Sequence, residues 1–308
     1  MRIARRISKG ATTAAVLLAV AMSASACSGP STPPDAGSPP ASTESATTAS
    51  ETRPSTGDAA SGTRSRLRLS PALVADLEIV LERHAAARPA LAIAPVGADV
   101  SPAVIGDAEE LIAWSTAKVP LAQAVVEHGG AMTHRADLEA ALTRSDNGAA
   151  GRLWDSLGTP GEAAAATDRA LRSAGDRRTR TRSTIVRPGW SAFGQTPWRL
   201  DDQARFTAGL ACADDAAPVR RLLGQVVASQ RWGLGAVPRA RLKGGWGATD
   251  DGYVVRQLGI LPTPGGGSVA VTVQVRLTTG GLDEGVAVVD DLTSVLTEHR
   301  RDLPGGRC

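Results

Sequence analysis

The spacing of apolar residues after position 66 changes along the chain, and each change predicts a different element. The segment that follows Ser70-Pro71 has apolar residues on one helical face, with Ser70 as the N-cap and Pro71 in the first turn. Short apolar runs at 90–96 and 103–105 are separated by glycine and aspartate, and they predict strands. We therefore expect an amphipathic helix followed by two strands.

The middle of the chain is predicted to be helical. Six apolar or alanine-rich segments indicate helices, and three of them end at glycine. Thr133 is the expected cap of the second helix, and Thr196-Pro197 is the expected start of the fifth. No period is visible at 176–195, which predicts a long irregular loop. The predicted helices cover 117–128, 133–143, 148–157, 160–174, 196–210 and 217–229.

The C-terminal part changes to the pattern of a hairpin and a helix. Segments 253–261 and 268–277 are rich in β-branched residues, and the proline and glycines at 264–267 join them. A last apolar face along 283–299 predicts a helix. The order of these elements along the chain predicts an α+β fold. Strands from both chain ends form an antiparallel sheet, helices from both chain ends flank it, and an all-helical lobe is inserted between the strands. We expect an α/β lobe at 66–113 and 233–300, the helical lobe at 114–232, and a tail at 301–308.

The first 65 residues have the pattern of an exported protein. Basic residues precede an apolar run at 14–22, which is shorter than the about 20 residues that span a membrane. The segment Ala24-Ser25-Ala26-Cys27 resembles a bacterial lipobox, although position 24 is alanine where leucine is usual.

We therefore expect a signal segment at 1–27, lipidation at Cys27 and anchoring on the outer face of the cell membrane. The alternative is an ordinary signal peptide cut near Ala26. Residues 28–65 are mostly Ser, Thr, Pro, Ala and Gly, which predicts a disordered tether.

Composition and charge narrow the set of partners. The formal net charge is only +3, and the arginine cluster at 177–182 comes with no nucleic-acid motif, so we expect no nucleic-acid partner. The four histidines have no metal-like spacing, and we expect no metal and no other cofactor. Apart from Cys27, the chain contains two cysteines, Cys212 and Cys308. The compartment of an exported protein permits a disulfide between them, but the sequence does not show whether they lie near each other.

Three short motifs place reactive side chains at the ends of helices and strands. Ser115 and Lys118 are three residues apart at a helix start, so they share a face, and a deprotonated lysine can activate a serine hydroxyl. Ser-Asp-Asn at 145–147 lies between two helices, and Lys-Gly-Gly-Trp at 243–246 precedes the hairpin. Taken singly, each motif is more often a helix turn, a cap or a strand edge than a site.

The order of the three motifs resembles the signature of class A β-lactamases and penicillin-binding proteins, which is Ser-x-x-Lys, Ser-Asp-Asn and Lys-Thr-Gly. The resemblance covers 70–299 and implies a β-lactamase/transpeptidase-like fold that performs serine acyl transfer. It implies Ser115 as the nucleophile, Lys118 as its base and Ser145 as the proton relay to the leaving group. The further residues that it implies at the substrate and the oxyanion hole are Asn147, Lys243, Gly245 and Trp246.

Two departures from the family pattern limit the expected activity. Gly244 replaces a threonine whose hydroxyl helps to bind the substrate carboxylate. Class A enzymes also use a loop glutamate to activate the deacylating water, and the segment 176–195 contains no glutamate. Glu162 lies at a predicted helix start, where compensation of the helix dipole explains it.

We expect a monomeric serine hydrolase that is acylated by a β-lactam or a cell-wall peptide amide and that deacylates slowly. The alternative is a non-catalytic envelope lipoprotein that uses the same fold as a binding module.

Overall fold

The structure is a computed structural model, and it describes Ser65 and residues 67–308. The predicted signal segment, Cys27 and nearly all of the predicted tether lie outside the described residues. Within the described residues, no helix is long and apolar enough to cross a membrane.

Helix α1 (Pro71–Arg83) begins where the local sequence predicts. The backbone N–H of Leu73 donates a hydrogen bond to Ser70 Oγ at 3.2 Å. Pro71 lies in the first turn, where a backbone N–H has no helical partner and its loss is harmless. Leu73 and Leu77 are fully buried against the sheet and the C-terminal helix, named α8 below. The predicted N-terminal helix and its cap are confirmed.

Five antiparallel strands form the central sheet, and two short strands form a second, small sheet. The strands are β1 (Ala90–Pro95), β2 (Ala103–Gly106), β3 (Leu111–Ile112), β4 (Pro197–Trp198), β5 (Arg241–Thr249), β6 (Gly252–Pro262) and β7 (Ser268–Leu277). The order in the central sheet is β2-β1-β7-β6-β5, so β1 pairs directly with β7. The predicted hairpin is confirmed as β6 and β7, and the predicted sheet from both chain ends is confirmed as well.

Most of the remaining helices lie between β2 and β5 in the chain, and a last one follows β7. They are α2 (Lys118–Glu127), α3 (Arg135–Thr143), α4 (Asn147–Asp155), α5 (Pro160–Ser173), α6 (Leu200–Cys212), α7 (Ala217–Leu223) and α8 (Leu282–Glu298). Alanine and leucine side chains of α2 to α7 form one buried cluster. The segment between α5 and the short 3₁₀ helix at Phe193–Gln195 contains neither helix nor strand, as predicted for 176–195.

Two predicted helix starts are wrong. Pro197 and Trp198 form β4 and pair with Ile112 and Leu111 of β3, so the helix begins only at Leu200. This strand pairing is a long-range contact that overrides the local Thr-Pro pattern. Helix α3 has His134 at its N-cap position, without a side-chain cap bond, because the turn from residue 130 to 134 is already closed by a backbone hydrogen bond. Thr133 is therefore not the cap.

Helix α6 connects the sheet to the helical cluster. Its residues Leu200 and Ala204 pack against alanines of β1 and β7, whereas Phe206 points into the helical cluster. Since α1 and α8 cover the opposite face, the sheet is buried on both sides. Cys212 at the end of α6 forms a disulfide with Cys308, the pairing that the sequence permitted but did not place.

Candidate active site

Ser115 lies in a short 3₁₀ turn, Trp114–Ala117, that runs directly into α2. The residue before the serine, Trp114, has φ of 49°, a left-handed conformation that bulky residues rarely adopt. Such strain persists only where the surrounding structure holds it, and it is found most often at active sites. The geometry at Ser115 is therefore imposed by its neighbours rather than by the local sequence.

A buried network of hydrogen bonds contacts the Trp114–Ala117 turn. Thr116 Oγ1 donates a hydrogen bond to the Ala113 carbonyl and accepts one from Gln203 Nε2 at 3.0 Å. Arg256 is fully buried and donates from Nη2 to Gln203 Oε1 at 3.2 Å and from Nη1 to the Leu111 carbonyl at 2.7 Å. Burial lowers the pKa of Arg256 to about 9. The network connects β6, α6 and the Trp114–Ala117 turn.

Lys118 is buried beside Ser115 and makes three hydrogen bonds from Nζ. They reach the Ser145 carbonyl at 2.6 Å, Asn147 Oδ1 at 2.7 Å and Ser145 Oγ at 3.3 Å. Burial lowers the pKa of Lys118 to about 8, although the charge of Asp146 acts in the opposite direction. A partly neutral amine near pH 7 is what a general base for Ser115 requires.

The loop between α3 and α4 presents Ser145 to both motif lysines. Ser145 has φ of 59°, a second left-handed residue at the site. The next residue, Asp146, caps α4 by accepting a hydrogen bond from the Ala149 N–H at 2.7 Å. Because Asp146 is fixed as the cap, its two neighbours Ser145 and Asn147 are positioned at Lys118. The Ser-Asp-Asn motif therefore combines a helix cap with two site residues.

Lys243 lies on β5 and is fully buried. Its Nζ donates to Ser145 Oγ at 2.9 Å and to the Gly244 carbonyl at 2.8 Å. Burial, together with the charge of Lys118, lowers the pKa of Lys243 well below its ordinary value. Two lysine amines with lowered pKa values thus converge on one hydroxyl, which allows a proton to move between them through Ser145.

Strand β5 passes directly against the Trp114–Ala117 turn at Gly245. A Cβ at this position would lie 2.8 Å from the backbone nitrogens of Ser115 and Thr116, so no side chain fits. The backbone of β5 is therefore adjacent to the Ser115 N–H. This is the arrangement that the expected oxyanion pair, the N–H groups of Ser115 and Trp246, requires. The oxyanion role itself stays a prediction.

A cleft of about 650 Å³ opens above these residues. It contains Ser115, Lys118, Ser145, Asn147 and Trp246 among its lining residues, so the structure brings these predicted site residues together. Lys243 and Gly245 lie behind the wall of the cleft rather than in its lining.

Sequence reasoning missed part of this lining, although one signal was available. The chain has only six Trp, two Phe and one Tyr, and five of these nine aromatic residues line the cleft. Trp190 packs edge-on against Trp114 with ring centroids 4.9 Å apart. The missed lining residues with large side chains are Arg144, Trp190, Phe193, Gln230 and Tyr253.

No protein-family model and no curated protein sequence matches this chain. Solved structures match it over most of the described part. An ancestral class A β-lactamase (GNCA) is 22% identical, with a TM-score of 0.56, and the match covers 73% of this chain and 99% of the other. A β-lactamase from Burkholderia vietnamiensis is 20% identical, with a TM-score of 0.57, and the match covers 75% and 97%. The TLA-3 extended-spectrum β-lactamase is 12% identical, with a TM-score of 0.60, and the match covers 75% and 98%. The chain has the class A β-lactamase fold. The predicted β-lactamase/transpeptidase-like architecture is thereby confirmed.

Within the β-lactamase fold, the glycine at position 244 has a structural explanation. A Cβ on Gly244 would lie 3.0 Å from Cζ2 of Trp232 and 3.3 Å from Cζ3 of Trp246. The two indole rings pack edge to face with centroids 6.0 Å apart. The ring of Trp232 therefore occupies the space into which a threonine side chain at 244 would point.

Glu162 does not line the described cleft. Glu162 is exposed and belongs to a capping box, in which its Oε2 accepts hydrogen bonds from the N–H and the hydroxyl of Thr159, both at 2.7 Å. Glu162 lies in the first turn of α5, as the sequence predicts, and the capping box is an additional role found in the structure. No carboxylate is found among the described residues that line the cleft.

Proposed function

We propose that the protein is a serine acyl-transfer enzyme that is acylated at Ser115 and releases the acyl group slowly. The observation that carries this proposal is the convergence of Lys118 and Lys243 on Ser145 Oγ, beside Ser115, with the pKa of Lys118 lowered to about 8. A buried pair of lysines around one hydroxyl stabilises the fold poorly, because each amine is desolvated. Proton transfer explains the arrangement better than stability does.

In the first half-reaction, the neutral amine of Lys118 accepts the hydroxyl proton as Ser115 Oγ attacks the carbonyl carbon of the substrate. The new C–O bond moves the carbonyl electron pair onto oxygen, where the N–H groups of Ser115 and Trp246 stabilise the negative charge. Collapse of this intermediate breaks the bond to the leaving group, which takes a proton from Ser145. The hydroxyl of Ser145 is then reprotonated by Lys118, and Lys243 holds it in place.

The second half-reaction lacks a positioned base for water. Glu162 is engaged as a helix cap, and the described cleft contains no carboxylate. A general base is typically worth about 10²- to 10⁴-fold in rate. Release of the acyl group should therefore be slow, and the acyl-enzyme should accumulate. A β-lactam or a cell-wall peptide amide is the substrate class that the motifs imply, at the outer face of the membrane if Cys27 is lipidated.

Intact-protein mass spectrometry tests acylation directly. A fluorescent penicillin at high concentration, or a fluorophosphonate that modifies activated serines, should add one mass to the wild type and none to Ser115→Ala. Ser294→Ala is the matched control, because Ser294 lies on α8 and bonds only to its own helix at Asp290. Fast multiple turnover of the penicillin would contradict slow release. No adduct with either reagent would overturn acyl transfer and favour a binding module.

A further inference from the structure

The cleft offers little positive charge to a substrate. Among the described lining residues, Lys118 and Arg144 are the cations. The amine of Lys118 is buried and already bonded to Ser145 and Asn147. Arg144 lies at the rim with 56% of its side chain exposed, and its guanidinium is 3.9 Å from a carboxylate oxygen of Glu139. An incoming carboxylate would therefore meet no buried cation that lacks a partner.

The third motif does not supply the missing charge. Lys243 is fully buried, lies outside the cleft lining and donates to Ser145 Oγ and the Gly244 carbonyl. A Lys-Thr-Gly motif would provide a threonine hydroxyl next to the lysine, but position 244 is glycine here. The ring of Trp232 occupies the space that the threonine side chain would take. The cleft lining thus contains neither the Lys243 amine nor a hydroxyl at position 244 that could contact a substrate carboxylate directly.

Aromatic side chains form a large part of the cleft lining. Five aromatic side chains line the cleft, and Trp190 is 40% exposed at its edge. Aromatic side chains that line a concave site indicate contact with an apolar ligand. The cleft is therefore suited to uncharged, apolar groups on the substrate.

We propose that neutral, apolar acyl donors, which lack the carboxylate that β-lactams and D-alanyl peptides carry beside the scissile bond, acylate Ser115 faster than those carboxylate-bearing substrates do. The inference rests on the proposed function, since it takes Ser115 as the nucleophile. An apolar ester fits this description. Ser115 Oγ bonds to the acyl carbon, the ester C–O bond breaks, and the alcohol leaves with the proton from Ser145. Water then returns the serine and releases the carboxylic acid.

A matched pair of esters tests the role of the carboxylate. Two aryl esters of phenylacetylglycine, one with phenol and one with m-hydroxybenzoate as the leaving group, differ only by one carboxylate. With the full-length protein, kcat/KM should be at least about tenfold higher for the phenol ester, because burial of an unpaired carboxylate is unfavourable. Equal values, or a higher value for the m-hydroxybenzoate ester, would overturn the proposal.

A chain-length series tests the apolar contact. For p-nitrophenyl esters from acetyl to hexanoyl, kcat/KM should rise by up to about fourfold per methylene that becomes buried. Trp190→Ala should lower kcat/KM by a larger factor for the hexanoyl ester than for the acetyl ester. Ile79→Ala is the control, since Ile79 is a similarly exposed apolar residue on α1, and it should change neither ester. The same loss for both esters in Trp190→Ala would overturn the apolar contact.

The fluorophosphonate separates this inference from the proposed function. It reports an activated Ser115 without any requirement for a substrate carboxylate or a long acyl chain. Labelling of Ser115 without a preference for the neutral ester would overturn the substrate class alone. The absence of both labelling and ester cleavage would overturn the acyl-transfer function and the inference with it.

Discussion

The pKa of Lys118 makes pH a direct test of the proposed acylation step. Burial lowers this pKa to about 8, and only the neutral amine can accept the proton of Ser115. From that value, the neutral fraction is about 1% at pH 6, about 9% at pH 7 and about half at pH 8. The acylation rate should rise about tenfold from pH 6 to 7, rise less steeply to pH 8, and become constant above about pH 9. Because Lys243 also bonds to Ser145 and has a lowered pKa, the observed midpoint belongs to the lysine pair.

Single-turnover labelling with the fluorophosphonate between pH 5.5 and 9.5 measures this profile without interference from deacylation. Circular dichroism at each pH verifies that the fold is intact. Lys118→Ala should lose most of the rate together with the rise between pH 6 and 8. A flat profile in the wild type, or the same rise in Lys118→Ala, would refute Lys118 as the base.

Two further predictions concern the cysteines. Cys212 and Cys308, 96 residues apart in sequence, should be oxidised in the protein purified without reductant, and Cys308→Ser should lower the free energy of unfolding by about 2–4 kcal/mol in a urea titration. Two free thiols in the denatured, unreduced protein would show that this bond is not formed. Metabolic labelling with a fatty-acid analogue should tag the wild type but not Cys27→Ala. Equal labelling of both proteins would contradict the lipid anchor.

Local sequence predicted those elements whose ends are set by local contacts. Ser70 caps α1 through a hydrogen bond three residues away, and Glu162 closes a capping box with Thr159. Both patterns lie within one helical turn, so a single sequence contains all the information they need. The β6–β7 hairpin followed from its glycine-rich turn in the same way.

The errors and omissions come from contacts between distant parts of the chain. Pro197 is drawn into a strand by its pairing with Ile112, which no pattern around Thr196-Pro197 reveals. The family resemblance predicted which side chains gather around Ser115, but the covering of Gly244 by Trp232 depends on the packing of two separate segments. The departure at position 244 was therefore visible in the sequence, whereas its apolar replacement was not.

The two left-handed residues at the candidate site set the stability of the fold against the geometry of the site. Trp114 and Ser145, with φ of 49° and 59°, each hold a conformation that costs about 1–3 kcal/mol for a residue with a side chain. Glycine would relieve this strain at either position, but it would also remove the indole that packs against Trp190 or the hydroxyl that both lysine amines contact. The backbone strain therefore accompanies side chains that the site itself uses.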